Sequence, residues 1–243
     1  MSILKKIKGN IPNGITCLNV LCGTLAILIS AHPHLSYMGM MSWQWGAIFI
    51  VLAAVADFWD GFAARMLKES SVIGADLDSL SDQVSFGVAP ASLLAFNLWG
   101  NVPLWVALVP SILPVATAVR LAKFNNDTRQ TTGFLGMPVP ANAIFWIGYV
   151  ACLKMNHQAL WLSSPWVLVP VLLIVSWLMV SEVPMLSLKF KTWGFRDNLA
   201  RYLLIIGSAV LLICLQLRGM LWIIIFYVIM SLLFADRKSS STY

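Results

Sequence analysis

The sequence predicts an all-α fold: a polytopic membrane helix bundle of about eight transmembrane helices with both termini cytoplasmic. Three observations carry that prediction. Hydrophobic residues make up 59% of the 243 residues and charged residues only 11%, where a soluble chain carries about 25% charged residues. The mean hydropathy is +0.82, and the apolar residues gather in runs close to the roughly 20 residues that a helix needs to cross a bilayer. The basic residues sit at the ends of those runs, so the net charge of +6 reads as membrane orientation and attraction to anionic membrane lipids, with no nucleic acid implied.

The runs fall at 14–31, 44–66, 80–99, 103–123, 138–155, 166–182, 199–216 and 219–235. Ile11-Pro12-Asn13-Gly14 suits a helix entry, so the first helix is expected to begin there. Lys5, Lys6 and Lys8 precede it, but the run is too long for a signal core and lacks a small-residue cleavage site, which makes it a retained span. Gly100-Asn101-Val102-Pro103 reads as a tight turn before the fourth run, and Leu217-Arg218-Gly219 as a short hairpin between the last two. The polar tail after Asp236 is expected to fray. Eight spans would put Lys5, Lys6, Lys8, Arg65, Lys68, Arg120, Lys123, Arg129, Lys189, Lys191, Arg196, Arg201, Arg237 and Lys238 on the side of the termini. Only Lys154 and Arg218 would lie opposite, and that asymmetry makes the first side cytoplasmic. The expected organisation is one membrane domain over 1–243, with a motif core at 11–191 and a helical hairpin at 199–235.

Against this background the acidic residues are unevenly placed. Six of the ten fall between Asp57 and Asp82. Asp57, Asp60, Gly61 and Ala64 share one helix face, and Gly74, Asp78 and Asp82 share another, because residues three or four apart lie together on a helix. The short linker between them lets all four carboxylates meet near the cytoplasmic interface. A carboxylate in hydrocarbon costs on the order of several kcal/mol, so a cation is expected among them. Carboxylate oxygens are hard ligands that suit Mg²⁺, Mn²⁺ or Ca²⁺. The small residues leave room for a ligand, and Arg65 offers a planar fork to a phosphate. Together these describe a phosphoryl-transfer site. The plainer reading has the aspartates capping helices or pairing with Arg65 and Lys68. Asp76 and Glu69 lie off the stripes and are expected to face solvent.

The stretch Asp57-x-x-Asp60-Gly61-x-x-Ala64-Arg65, eight residues, Gly74-x-x-x-Asp78-x-x-x-Asp82 resembles, position for position, the motif of the CDP-alcohol phosphatidyltransferase family. Residues 77–91, from Leu77-Asp78-Ser79 to Val88-Ala89-Pro90-Ala91, are similar to its phosphatidylserine synthase branch. So are Ile11-Pro12-Asn13 with Thr16 and Asn19, Arg120-Leu121-Ala122-Lys123-Phe124-Asn125, Phe134-x-Gly136-Met137-Pro138-x-Pro140, and Met179-Val180-Ser181 followed by Phe190-Lys191. The resemblance covers roughly residues 11–191, a six-helix core to which the last hairpin is added. Lys123 stands where that branch is expected to have arginine, keeping the charge without the bidentate fork.

The resemblance implies transfer of the phosphatidyl group from CDP-diacylglycerol to L-serine, giving phosphatidylserine and CMP. It implies one or two divalent ions, Mn²⁺ or Mg²⁺, held by Asp57, Asp60 and Asp78, with Asp82 as general base, touching metal or not. It places Gly61, Ala64, Arg65 and Gly74 around the CDP group, in a bacterial inner membrane enzyme with a cytoplasmic site, and it is compatible with a homodimer. Serine's carboxylate needs a cation, for which Arg120 and Lys123 are candidates; the alternative is that they anchor a helix end to anionic lipid. Ser85 and Asn125 could hydrogen-bond the amino acid. Thr16 and Asn19 could read cytosine or ribose, or simply join helices. Another acceptor, such as glycerol 3-phosphate, inositol or a second phospholipid, would use the same chemistry. A divalent-cation transporter is the reading from another class, but it would hold its ion near the midplane and has no evident use for Arg65.

The remaining features read plainly. Cys17, Cys22, Cys152 and Cys214 have no metal-ligand spacing and are taken as small hydrophobes. His32, His34 and His157 fall in loops across the membrane from the aspartates, and tryptophans such as Trp43, Trp45, Trp99, Trp161 and Trp166 suit an interfacial belt.

Overall fold

Every apolar run is helical in the computed structural model, which describes residues 3–67, 72–127, 134–155, 161–187, 194 and 198–234. The order is α1 (Ile3–Ser30), a two-residue hairpin of β1 (Ser36–Tyr37) and β2 (Met40–Met41), α2 (Ser42–Leu67), α3 (Val72–Asp82), a π turn (Gln83–Val88), and α4 (Ala89–Leu98). Next come α5 (Leu104–Leu108), a 3₁₀ turn (Val109–Ser111), α6 (Ile112–Asn126), β3 (Phe134–Leu135), α7 (Val139–Met155), α8 (Pro165–Val180), β4 (Pro184–Met185), α9 (Leu199–Leu215), a second 3₁₀ turn (Gln216–Arg218) and α10 (Gly219–Phe234). Among the described residues four stretches are long and apolar enough to cross a membrane: Pro12–Ser30, Ser42–Leu67, Leu104–Asn126 and Leu199–Phe234. Val139–Met155 and Pro165–Val180 are shorter apolar helices. The chain divides into two compact units, Met1–Leu121 and Ala122–Tyr243.

In the first unit α1 packs along α2 and also touches α3, the π turn and α4. Its inward face explains how. Thr16, Asn19, Gly23, Ala26 and Ser30 recur at spacings of three and four and are buried, while Leu18, Leu21, Leu25 and Leu28 point outward and are exposed. This inverts the soluble pattern. Lipid solvates the leucines, and close approach of small side chains supplies the packing. The α2 residues Trp43, Gly46, Ala47, Ile50, Ala53 and Asp60 continue the buried stripe.

The second unit centres on α7, whose Phe145, Trp146, Ile147, Tyr149 and Val150 are buried. Trp146 Nε1 donates to Asn142 Oδ1 at 2.9 Å, and the Tyr149 hydroxyl donates to the Leu162 carbonyl at 2.7 Å, so the polar tips of both rings are satisfied. Helix α10 crosses α7 at Gly148, where a Cβ would stand 2.8 Å from Leu221 Cα. Antiparallel β3 and β4 pair Phe134 with Met185 and Leu135 with Pro184.

Four features differ from expectation. Helix α1 starts at Ile3 and runs through Pro12, which forgoes one backbone hydrogen bond without ending the helix. Helix α3 begins at Val72, eight residues before the apolar run, because its first turns are amphipathic and hydropathy does not register them. The β1–β2 hairpin follows α1 with no run of strand-forming residues to announce it. Trp43 is only 5% exposed and belongs to the core, whereas Trp99, Trp161 and Trp166 are exposed as a belt requires. His32 and His34 are exposed, and all four cysteines are free. Lys68, Glu69, Arg129, His157, Lys189, Phe190, Lys191, Arg196, Arg237, Lys238 and the polar tail lie outside the described residues.

Gly148→Ala is expected to force α7 and α10 apart at a cost of about 1–3 kcal/mol, seen as a lower midpoint in thermal unfolding of the detergent-purified protein. An unchanged midpoint would show that the two backbones separate freely.

Candidate active site

The four aspartates lie on two helices of the first unit that α1 touches in turn. Asp57 and Asp60 are one turn apart near the end of α2, and Asp78 and Asp82 are one turn apart at the end of α3. One carboxylate oxygen from each of Asp57, Asp60 and Asp78 can be chosen so that all three lie within 4.8 Å of one another. Asp60 is 6% exposed, and its Oδ2 is buried with no hydrogen-bond donor. An orphaned carboxylate oxygen beside two more carboxylates is an expensive arrangement for a site without a cation. The all-oxygen, hard donor set fits a divalent ion of the Mg²⁺ or Mn²⁺ type.

Asp82 interacts electrostatically with Asp57, Asp78 and Asp60 but has a partner of its own. It is 8% exposed, and its Oδ1 accepts a hydrogen bond from Asn19 Nδ2 at 3.1 Å. Thr16, one turn earlier on α1, donates to the Pro12 carbonyl at 3.0 Å and lies within hydrogen-bonding reach of Asp60. Ser81 donates to the Thr16 carbonyl at 3.3 Å, and Ser85 to the Asn19 carbonyl at 2.9 Å. Thus Thr16 and Asn19 both join helices.

After Asp82 the backbone widens into the π turn, where the Ala89 N–H bonds to the Val84 carbonyl. Such turns insert one residue and re-aim the side chains around them. Here Ser85, Phe86 and Gly87 are consecutively buried, which a regular helix with one inward face would not do. Ser85 meets α1 and Gly87 meets Thr117 of α6. Nothing in the hydropathy pattern marks this turn. The Asn19-x-x-x-Gly23 spacing on α1 is the one signal that could have indicated a close polar crossing.

The other candidates divide by exposure. Gly61, Ala64 and Gly74 are half-buried beside the aspartates in sequence. Arg65 is exposed, and its guanidinium folds back along α2 with Nη1 3.5 Å from where a Cβ on Gly61 would stand, an ordinary contact distance. Asp76 is exposed, as expected of a residue off the stripes. Arg120 is only 4% exposed, which does not suit a lipid-headgroup anchor. Lys123 and Asn125 belong to the second unit and are exposed; Lys123 Nζ donates to the Val180 carbonyl at the end of α8, at 3.0 Å.

Residues 9–188 match the family model described as CDP-alcohol phosphatidyltransferase. Among curated proteins, the chain is 40% identical over 144 residues to the CDP-diacylglycerol–serine O-phosphatidyltransferase of Mycobacterium leprae, a match covering 56% of this chain and 47% of that protein. It is 34% identical over 242 residues to the protein of the same name in Mycobacterium bovis, covering 94% of this chain and 78% of that one. With the one from Bacillus subtilis it shares 38% identity over 131 residues, 54% of this chain and 69% of the relative. The match to the first of these therefore spans about half of that relative's length.

Removing one charge from the three-carboxylate group is expected to weaken divalent-ion binding at least about tenfold. Mn²⁺ titration of purified protein followed by electron paramagnetic resonance tests this with Asp60→Asn or Asp78→Asn, and Asp76→Asn serves as the control. Equal affinity in all variants would remove the metal from this cluster.

Proposed function

Because the chain belongs to the CDP-alcohol phosphatidyltransferase family, we propose that it transfers the phosphatidyl group of CDP-diacylglycerol to the hydroxyl of L-serine, giving phosphatidylserine and CMP. The observation that carries this reading is the meeting of Asp57, Asp60 and Asp78 with a fourth, separately held carboxylate one turn beyond them. The relatives' names favour serine as the acceptor.

In this reading Asp57, Asp60 and Asp78 hold one or two Mn²⁺ or Mg²⁺ ions, which when bound neutralise charge on the pyrophosphate. Gly61, Ala64 and Gly74 leave space for the CDP group, and Arg65 offers its fork to phosphate. Asp82 takes the proton from the serine hydroxyl as its oxygen attacks the phosphorus that bears diacylglycerol. The new O–P bond forms as the bond to the CMP oxygen breaks, and CMP leaves carrying that electron pair. No covalent enzyme intermediate is needed, since no cysteine or histidine stands near the aspartates in sequence. The buried guanidinium of Arg120 is the proposed partner for the serine carboxylate.

The asymmetry of basic residues supports eight spans with both termini cytoplasmic, and the bacterial relatives favour an inner membrane. Serine and the nucleotide then meet the aspartates from water while the acyl chains stay in lipid. Basic residues at that interface attract anionic lipids, and a homodimer is compatible with the exposed apolar helix faces.

CMP release from CDP-diacylglycerol, followed with Mn²⁺ or Mg²⁺ and a panel of alcohols, is expected with serine. Release with glycerol 3-phosphate alone would move the chain to a sister activity, and release with no alcohol would remove the enzyme reading. Asp82→Asn is expected to lower turnover by about 10²–10⁴-fold while CDP-diacylglycerol still binds. Loss of binding instead would make Asp82 chiefly a metal ligand. Arg120→Ala should raise the serine KM far more than that for the lipid, and an unchanged serine KM would take Arg120 out of the pocket.

A further inference from the structure

Asn19 is 0% exposed and sits at the centre of the contact between α1 and the end of α3. Its two halves face the same short stretch of chain. The side-chain amide donates to Asp82 Oδ1 at 3.1 Å, while the backbone carbonyl accepts from Ser85 Oγ at 2.9 Å. One turn earlier Ser81 is joined to the Thr16 carbonyl, and one turn later Gly23 makes room for Ser85, since a Cβ there would stand 2.7 Å from Ser85 Cα. Three successive turns of α1 therefore grip residues 81–85, and the middle grip is on the Asp82 carboxylate itself.

The orientation of the amide follows from chemistry. An amide carbonyl turned toward a carboxylate would set acceptor against acceptor, so the Asn19 N–H₂ must face Asp82. That leaves Asn19 Oδ1 buried with no hydrogen-bond donor, a cost the fold accepts in order to keep the amide on the carboxylate. An asparagine serving only to join two helices would be expected to satisfy both ends. The π turn that begins at the next residue adds a second sign of adaptation, because it allows Ser85 to reach α1 just after Asp82 has done so.

The geometry points to Asn19 as the positioning residue for Asp82: it occupies Oδ1, fixes the carboxylate plane, and leaves Oδ2 as the oxygen that takes the acceptor's proton. The inference rests on the reading of Asp82 as general base. In the step it describes, the proton passes from the acceptor hydroxyl to Asp82 Oδ2 as the O–P bond forms and the bond to CMP breaks. Asn19 touches neither the substrate nor the reacting atoms. It differs in this from a residue that reads cytosine or ribose, which would bind the nucleotide directly.

The two roles separate in the kinetics of Asn19→Leu, which keeps the branched heavy-atom outline and removes both hydrogen-bonding ends. With the full chain in detergent and CMP release as readout, kcat is expected to fall about 10- to 100-fold, as misplacement of a catalytic group does, while the KM values for CDP-diacylglycerol and serine stay within about twofold. In an Asp82→Asn background the same change should cause no further loss. Retained kcat with a raised KM for CDP-diacylglycerol would overturn the assignment and make Asn19 a nucleotide ligand; so would an undiminished effect in the Asp82→Asn background. Retained Mn²⁺ binding serves as the check on folding. If Asn19→Leu fails that check, Ser85→Ala decides, with a lowered kcat at unchanged KM expected and wild-type kcat overturning the inference. No serine-dependent CMP release from the unsubstituted protein would remove the underlying reaction, and the inference with it, whereas normal activity with an indifferent Asn19 removes the positioning role alone.

Discussion

Like charges that are held together in a poorly solvated place repel, and the first unit of this protein holds three of them within 4.8 Å. A buried carboxylate without a partner is costly even near the end of a membrane helix, so a cluster of them is a standing demand for a cation. Much of the unit's packing is understandable as a response to that demand. Two helices bring the aspartates in pairs, a third lies against both, and the third presents small and polar side chains where a leucine face would have kept the carboxylates apart. The leucines of α1 are turned outward, where lipid receives them. What is gathered by this arrangement is a place for positive charge at the edge of an apolar bundle.

Within the acidic group, environment sorts the residues into two kinds. Asp60 has a buried oxygen without a donor and two carboxylate neighbours, a setting that asks for a metal. Asp82 has an amide on one oxygen and lies one turn beyond the cluster. Chemically similar groups set apart by their surroundings are a recurrent basis for dividing labour in active sites. The chain belongs to the CDP-alcohol phosphatidyltransferase family, and in the proposed transfer from CMP to an alcohol hydroxyl one carboxylate set would hold charge while another would receive a proton.

Much of this was legible in the amino-acid sequence, for identifiable reasons. Apolar runs of span length have few alternatives to helix, so each of the eight became helical where expected. The aspartate stripes were legible because spacing of three and four fixes a face within one helix. What the sequence did not reveal is non-local or lies outside hydropathy. The start of α3 was legible in the spacing of Gly74, Asp78 and Asp82 but not in hydropathy, because Gly74, Asp76 and Asp78 dilute its apolar residues. The π turn at Gln83–Val88 sets Ser85 against α1 and Gly87 against Thr117 of α6, contacts that no local residue pattern reveals. The hydrogen bond from Asn19 to Asp82 joins residues 63 positions apart; spacing could nominate each residue but could not pair them. Lys123 shows the reverse case, a cation whose charge suggested a substrate and whose ammonium lies on the end of α8.

The central claim is that these aspartates assemble phosphorus, nucleophile and proton acceptor for a single direct displacement. The stereochemical course at phosphorus tests it most directly, using CDP-diacylglycerol made chiral at the phosphatidyl phosphorus with sulfur and oxygen isotopes and serine as acceptor. One in-line displacement inverts the configuration, and inversion is the result expected. Retention would require two displacements and a covalent phosphatidyl-enzyme intermediate, and would contradict the account.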